Sequence, residues 1–552
     1  MGLGPNGVEV AMILITNSCG QNVPECAWVV IDGGVMIRRS GPSNKGGWAS
    51  SAQSLVSKIK CFTKNLSGVK VLVFVGDLYD QADDYPHRVY VGQQRKKKVK
   101  PCPQGLVIND FLNLQHARVP SPTEFDYLAN QRDWRQEVFV PLLARHFGHF
   151  LSLPGSDAFQ DPGVSDEVVV VTRGLTAATS LLLPPSSSST AMVQSGGSTA
   201  AATTSSGEKC YVHLVSQRKG ADGSGTVYTP SPEYIQIFNT KSAEADTGGA
   251  SALYAALLKG QDAHLVTGDG DLLLTCLMMA DWFARNMTEE ELAQQHVPAF
   301  YLTIDSRLGS FDVWGAGREV QSKMTTLIQR FDHSVNVGPH LEDQMIAIAC
   351  VIMCLGEVDT ATIIPYIKAG TILTSLSDYF MARGKPPTRF PTEQNEFLED
   401  AVRRHYDTLI YRNDQGVPFL HYAAWYCLIA HAAQNTLNSK KGETKQTFQW
   451  HHRLTFAPEP MVLKATAPTC LSLGYITAHL ARAEWTLQYM TLEPHIHNPN
   501  SPRVPNFLPS DASSGFMKLS DSPDGEIVAV KELNPKIFIR RDARALGYYP
   551  TS

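Results

Sequence analysis

Between Ser242 and Cys276 the chain reads SAEADTGGASALYAALLKGQDAHLVTGDGDLLLTC, and this stretch limits the fold more than any other. It holds two acid-x-acid pairs, Glu244 with Asp246 and Asp269 with Asp271, set at equal offsets. Ala250 to Lys259 has the periodicity of an amphipathic helix, and Ala263 to Thr267 is a short apolar run of the kind that forms a buried strand. A parallel strand ending in Asp-Gly-Asp presents its carboxylates at the carboxyl edge of the sheet, where open α/β folds bind ligands. Gly270 is expected to permit a sharp turn there. Four carboxylates in one crevice repel one another unless cations neutralise them, and hard, oxygen-seeking Mg²⁺ or Mn²⁺ suits such a donor set. Either pair alone is as readily a helix-start acid or an ordinary turn. Together, across one helix-strand unit, they point to a metal site.

The surrounding chain reads as α/β. Apolar strand-like runs at Val8 to Ile15, Ala27 to Ile31, Val69 to Val75 and Glu167 to Thr172 alternate with helical patterns at Ala49 to Leu66 and Trp134 to Phe147. Further strands are expected at Tyr211 to Val215, Tyr234 to Phe238, Ala263 to Thr267 and Phe300 to Ile304. Such alternation predicts a mostly parallel central sheet with helices on both faces. The Ser/Thr/Ala/Gly-rich segment 184–207 buries too little apolar surface to order itself and is expected to be a mobile insertion. It separates the two parts of one α/β domain, 1–183 and 208–335. A helical region, 336–435, follows, with helices expected at Leu341 to Leu355, Glu393 to Tyr411 and Leu420 to Ala433. The remainder, 436–552, contains a Pro- and Asn-rich arm from Glu493 to Ser510 and the basic stretch IRRDAR, and could be an assembly surface for a protein partner.

Composition narrows the class without naming a function. The 552 residues are 43% hydrophobic and 18% charged, ordinary for a globular chain, and the net charge of −5 means that a nucleic-acid partner would have to meet a local basic patch. The ten cysteines have no CxxC pairing and no compact disulfide framework, which points to a reducing intracellular compartment, nuclear or cytoplasmic. Cys350 and Cys354 read as buried thiols on one helix face. No secretion signal, myristoylation motif or membrane-length apolar run is evident. The histidine pairs His451-His452 and His495-x-His497 lack Cys or acid at ligand spacing and read as ordinary surface or core residues. No GxSxG, Walker A or GxGxxG motif stands in a strand-to-helix context, and ADGSG at 221–225 reads as a hairpin turn.

Two further acids join the constellation: Asp32, ending the apolar run AWVVID, and Asp77, just beyond VKVLVFVGD. With MGLGPNG at the start and the helical pattern MIAIACVIMCLGEVD near Asp359, this order of motifs resembles the FEN/XPG-like 5′-nuclease superfamily, PIN-like in fold, which includes flap endonucleases and XRN-type exoribonucleases. The likeness spans about residues 1 to 370, with 242–276 its specific part. Val75 stands where the family has an Asp, with Asp77 two residues on. Near the expected last acid stand both Glu357 and Asp359, and Gly370 alone marks the family's duplex-gripping turn.

The resemblance implies a metal-dependent nuclease. Asp32, Asp77, Glu244, Asp246, Asp269, Asp271 and Asp359 would be its catalytic metal ligands, holding two Mg²⁺ or Mn²⁺ ions for hydrolysis of DNA or RNA. Arg95, Lys96, Lys97 and Lys98, shortly after Asp77, would contact the phosphates; alone, that run reads equally as a solvated charged face. The main alternative is a nuclease fold that has lost its chemistry and serves a scaffolding role. A small-molecule phosphatase using the same acids ranks third.

Overall fold

In the computed structural model the first strand, β1 (Trp28–Asp32), lies in the middle of an eight-stranded sheet. With a few internal exceptions, the structure describes residues 3–32, 40–63, 69–75, 101–131, 245–286, 297–304, 309–356, 367–385, 402–439 and 473–492. It also describes a few residues between 134 and 143, residues 358, 364 and 400, and the strands at 169–173, 202–203, 209–210, 212–218, 225–228, 516–518 and 527–529. The other sheet strands are β2 (Val71–Val75), β3 (Val169–Arg173), β4 (Val212–Arg218), β5 (Gly225–Tyr228), β6 (Ala263–Thr267), β7 (Phe300–Ile304) and β8 (Gly309–Asp312). Their order is β8-β7-β6-β1-β2-β3-β4-β5. The five central strands, β7 to β3, are parallel, and antiparallel strands finish both sides. Strands from before and after the 184–207 segment thus share one sheet, as an α/β reading requires. Of that segment only Ala202–Thr203 is described, paired with Lys209–Cys210, and the strand expected at 234–238 lies outside the described residues. The segment 221–224 also lies outside them, but the strands flanking it pair antiparallel, as a hairpin demands.

The described helices used below are α1 (Pro5–Leu14), α2 (Gly47–Thr63), α3 (Ala245–Leu258), α4 (Leu272–Asn286), α5 (Val313–Ile328), α6 (Met345–Cys354), α7 (Tyr422–Ser439) and α8 (Leu473–Leu492). The first is a correction, because Val8 to Ile15 was expected to be a strand. Pro5 sits at the helix start, and Gly7, Val10, Ala11 and Leu14 are buried at helical spacing while Met12 and Ile13 are exposed. The 3.6-residue period outweighs β-branched propensity. A second correction falls between Glu393 and Tyr411, expected to be one helix: Ile410–Arg412 is instead a strand, paired with Pro418–Leu420 around a turn in which Gly416 has φ +76°. The apolar stretch Leu341 to Leu355 is interrupted before Met345, where Gln344 turns its amide toward the backbone of the hairpin.

Helix α3 packs over β1, β2 and β6. Val30, Val73, Val75 and Leu265 face that side and belong to a hydrophobic core that continues through α1 and α4 to α8. Val29, Ile31, Leu72 and Val266 are buried on the opposite face. Cys26, Cys102, Cys276, Cys350, Cys354 and Cys427 are free thiols, and Cys350 and Cys354 are buried on α6. No helix among the described residues is long and apolar enough to cross a membrane.

His264, on β6, is buried, with Nε2 2.8 Å from the hydroxyl of Thr303, which is 2.8 Å from that of Ser310. Desolvation pushes its imidazole down from the ordinary 6.5 to about 4. An unfolded chain therefore takes up a proton that the folded one refuses, so the stability tied to neutral His264 is complete above about pH 6.5 and lost as the pH falls toward 4. The loss should reach about 3 kcal/mol. Denaturant unfolding of wild type and His264→Gln at several pH values checks this, since the substitution should flatten the curve over that window.

Candidate metal centre at the carboxyl edge of the sheet

The carboxyl ends of β1 and β6 lie side by side, because Ile31 pairs with Val266 in parallel register. Asp32 is buried there, and its Oδ2 accepts a hydrogen bond of 3.1 Å from the Thr267 hydroxyl. The same hydroxyl oxygen accepts the Asp269 backbone N–H at 2.9 Å. One buried threonine thus ties the acid of β1 to the acidic turn after β6. In that turn Asp269 Oδ1 accepts the Asp271 N–H at 3.3 Å. Thr267 was not singled out from the sequence, where a β-branched residue ending an apolar run is simply a strand former; its neighbouring Gly-Asp was the available signal.

Gly270 stands in the expected turn and has a second role there. Its φ lies outside the left-handed region, but a Cβ at this position would stand 3.3 Å from Leu3 N and 3.4 Å from Leu3 Cβ. The missing side chain lets the segment before α1 pass against the acidic turn. The first turn of α1 meets the chain just after α6 even more closely. Gly7 N–H donates to Gly356 O at 3.2 Å, and a Cβ on Gly356 would lie 2.5 Å from Gly7 N. Asp271 also acts on α6: the Cys354 thiol is pushed up first by burial and then by the Asp271 charge.

Asp246 comes to this edge from above. Helix α3 leads through Gly260, whose φ of +65° permits the reversal, directly into β6. Helix and strand therefore run oppositely and at similar lengths, about 21 Å and about 17 Å. The start of α3, with Asp246 in its first turn, consequently overhangs the carboxyl edge. A Cβ on Gly249 would lie 3.4 Å from Leu265 and 3.8 Å from Val30. Asp246, three residues earlier, shares that helix face, and Asp32, two residues beyond Val30, shares that sheet face.

The structure therefore brings Asp32, Asp246, Asp269 and Asp271 to one edge. Glu244, Asp77, Glu357 and Asp359 lie outside the described residues, as do Arg95, Lys96, Lys97 and Lys98. Val75 pairs with Asp32 in register and is wholly buried, so an apolar side chain fills the place beside Asp32. In kind, the donors suit a hard divalent cation. In arrangement they fall short, since among the described residues no three His, Cys, Asp or Glu side chains form a group able to hold a metal ion. Compared with protein-family models, curated proteins and solved structures, the chain matches none.

Proposed function

We propose that the chain is a divalent-metal-dependent phosphodiesterase of nucleic acid, a divergent counterpart of the FEN/XPG-like 5′-nucleases with a PIN-like sheet. The observation that carries this reading is the joint anchoring of Asp32 and Asp269 by the Thr267 hydroxyl at the carboxyl edge. Asp32, Asp246, Asp269 and Asp271, with Asp77, Glu244 and Asp359, would hold Mg²⁺ or Mn²⁺. Bound there, the two ions would supply a hydroxide nucleophile at neutral pH and charge stabilisation for the leaving 3′-oxygen. Thr267 orients the Asp32 carboxylate, and the close approach of Leu3 to Gly270 restricts water on that side of the turn. Arg95 to Lys98 would steer the phosphodiester toward the acids. The compartment proposed is intracellular, and the region after 436 would serve assembly with a protein partner.

A second reading, a degenerate nuclease fold with a scaffolding role, is favoured by Val75 and by the missing group of three acids among the described residues. Incubation with 5′-labelled single strand or flap substrate separates the two. The nuclease degrades substrate only with Mg²⁺ or Mn²⁺ and loses activity in Asp269→Asn, whereas the scaffold does neither. A phosphatase would instead turn over free nucleotides.

Val75→Asp adds a sharper test. An unpaired carboxylate at this buried position should destabilise the metal-free protein by about 3 kcal/mol or more. If the neighbouring acids are ligands, millimolar Mn²⁺ should restore much of that loss. Thermal unfolding with and without Mn²⁺ reads this directly, and equal melting in both supports the scaffold.

A further inference from the structure

The hairpin formed by Ile410–Arg412 and Pro418–Leu420 lies far along the chain from the acid edge, yet polar side chains from two helices and the turn before α6 converge on it. Gln344 Oε1 accepts both the Leu409 and the Ile410 N–H at 2.9 Å. Trp425 Nε1, on α7, donates to Leu409 O at 3.0 Å. From α8, Glu484 Oε2 accepts the Leu420 N–H at 2.7 Å, and Gln488 Nε2 donates to Pro418 O at 3.1 Å. These bonds fix the hairpin to α7, α8 and the turn before α6, and none of them is made by a residue of α4.

Arg412 carries that fixed position across to α4. Its Nη2 donates to Asp281 Oδ2 at 2.6 Å, and its Nη1 donates to Gly416 O at 3.1 Å, so the guanidinium is held by its own hairpin as well. Asp281 is buried in the middle of α4, ten residues or about 15 Å along the helix from Asp271. Its other partner, Arg285, donates from Nε at 3.1 Å and Nη2 at 2.9 Å, but lies on α4 itself. Among the described residues Arg285 pairs outside α4 with Asp343 alone, at 3.7 Å, and that carboxylate is largely exposed. Helix α4 begins at Leu272, the residue after Asp271, and is continuous from there past Asp281, so a shift of the helix carries the Asp269–Asp271 turn with it.

We propose that Arg412 is a positioning residue for the acid edge: through Asp281 it sets where α4, and hence Asp269 and Asp271, stands against Asp32. The region after residue 409 thereby controls the alignment of the carboxylates, a role that rests on the proposed metal site for its chemical purpose. Two replacements remove one partner of the same buried carboxylate and so resemble each other in cost. Arg412→Met severs the short link to the hairpin, whereas Arg285→Met severs bonds within α4 and only the long 3.7 Å pair with exposed Asp343 outside it.

Amide hydrogen exchange of the full chain distinguishes them without any metal. In Arg412→Met the Asp269 and Asp271 amides should exchange at least about tenfold faster relative to Val30 and Val73 in the central strands, and in Arg285→Met that ratio should stay as in wild type. Should Arg412→Met fail to fold, Arg412→Lys, which keeps the charge but not the forked donor, should give a smaller acceleration confined to the same two amides. Equal ratios in the Arg412 and Arg285 variants, or no change in either, would overturn the proposal. Titration of the same samples with Mn²⁺ keeps the two claims apart. Wild type that fails to bind Mn²⁺ contradicts the proposed function and leaves the exchange result to decide the role of Arg412. Wild type that binds should do so at least about tenfold more tightly than Arg412→Met.

Discussion

Asp281→Ala is expected to lose about 3–5 kcal/mol of folding stability, because it leaves two guanidinium groups buried without their carboxylate. Arg412 and Arg285 are only 18% and 24% exposed, and both donate to Asp281. Burial already pulls the Arg412 guanidinium below its ordinary value, although Asp281 opposes the shift. Truncating the acid removes the opposition and keeps the desolvation. Replacing Asp281, Arg285 and Arg412 together with apolar residues of similar size should recover most of the loss, since no charge then remains stranded. A surface pair makes the contrast. Arg404 and Asp400 are also within ion-pair distance, but they are 69% and 46% exposed, and Asp400→Ala should change stability by no more than about 1 kcal/mol. Denaturant midpoints of these variants measure both effects, and a loss below about 1 kcal/mol in Asp281→Ala would show that the network contributes little.

The largest expected effect on activity belongs to Asp269→Asn. Asparagine keeps an Oδ1 that can accept the Asp271 N–H and leaves the backbone bond to Thr267 intact, so the turn should keep its shape. What it removes is a negative charge at the point where cations would bind. Metal-dependent hydrolysis of a 5′-labelled strand should fall by at least about 100-fold, as expected for a group stabilising charge in the transition state. Unfolding in the absence of metal should be nearly unchanged. Thr267→Val tests the anchoring separately: it removes the hydroxyl shared by Asp32 and Asp269, and a smaller fall in activity should accompany loosening of both acids.

The parts of this molecule that were legible in the sequence are those whose cause is local. Ala263–Thr267 and Phe300–Ile304 match the expected strands residue for residue, because continuous apolar runs bounded by polar residues announce buried parallel strands. Asp32 and the Asp269–Asp271 turn were readable for the same reason, as acids at the ends of such runs. Helix α1 was misread because its short stretch is rich in β-branched residues, and the burial pattern that decides between helix and strand depends on α6 and the helix at Ala369–Thr374, which it packs against. The Ile410–Arg412 hairpin was missed although Asn-Asp-Gln-Gly between two short apolar segments is a turn signal. β8 was missed because Gly309–Asp312 is too short to show alternation.

Long-range partnerships were not legible at all. Thr267 meets Asp32 across more than two hundred residues, and Arg412 meets Asp281 across more than one hundred, which periodicity cannot report. The same limit applies to Val75. From the sequence Val75 is one more apolar residue in a strand-like run, and only the parallel register shows it beside Asp32, buried in the core.

The central claim is that acids from separate strands and from the start of α3 share bound cations. Its most direct test is Mn²⁺ binding to the 552-residue chain, followed by electron paramagnetic resonance of the free ion. Wild type should bind two ions, and Asp32→Asn and Asp269→Asn should each weaken binding by at least about tenfold. A wild-type protein that leaves millimolar Mn²⁺ entirely free would contradict the claim.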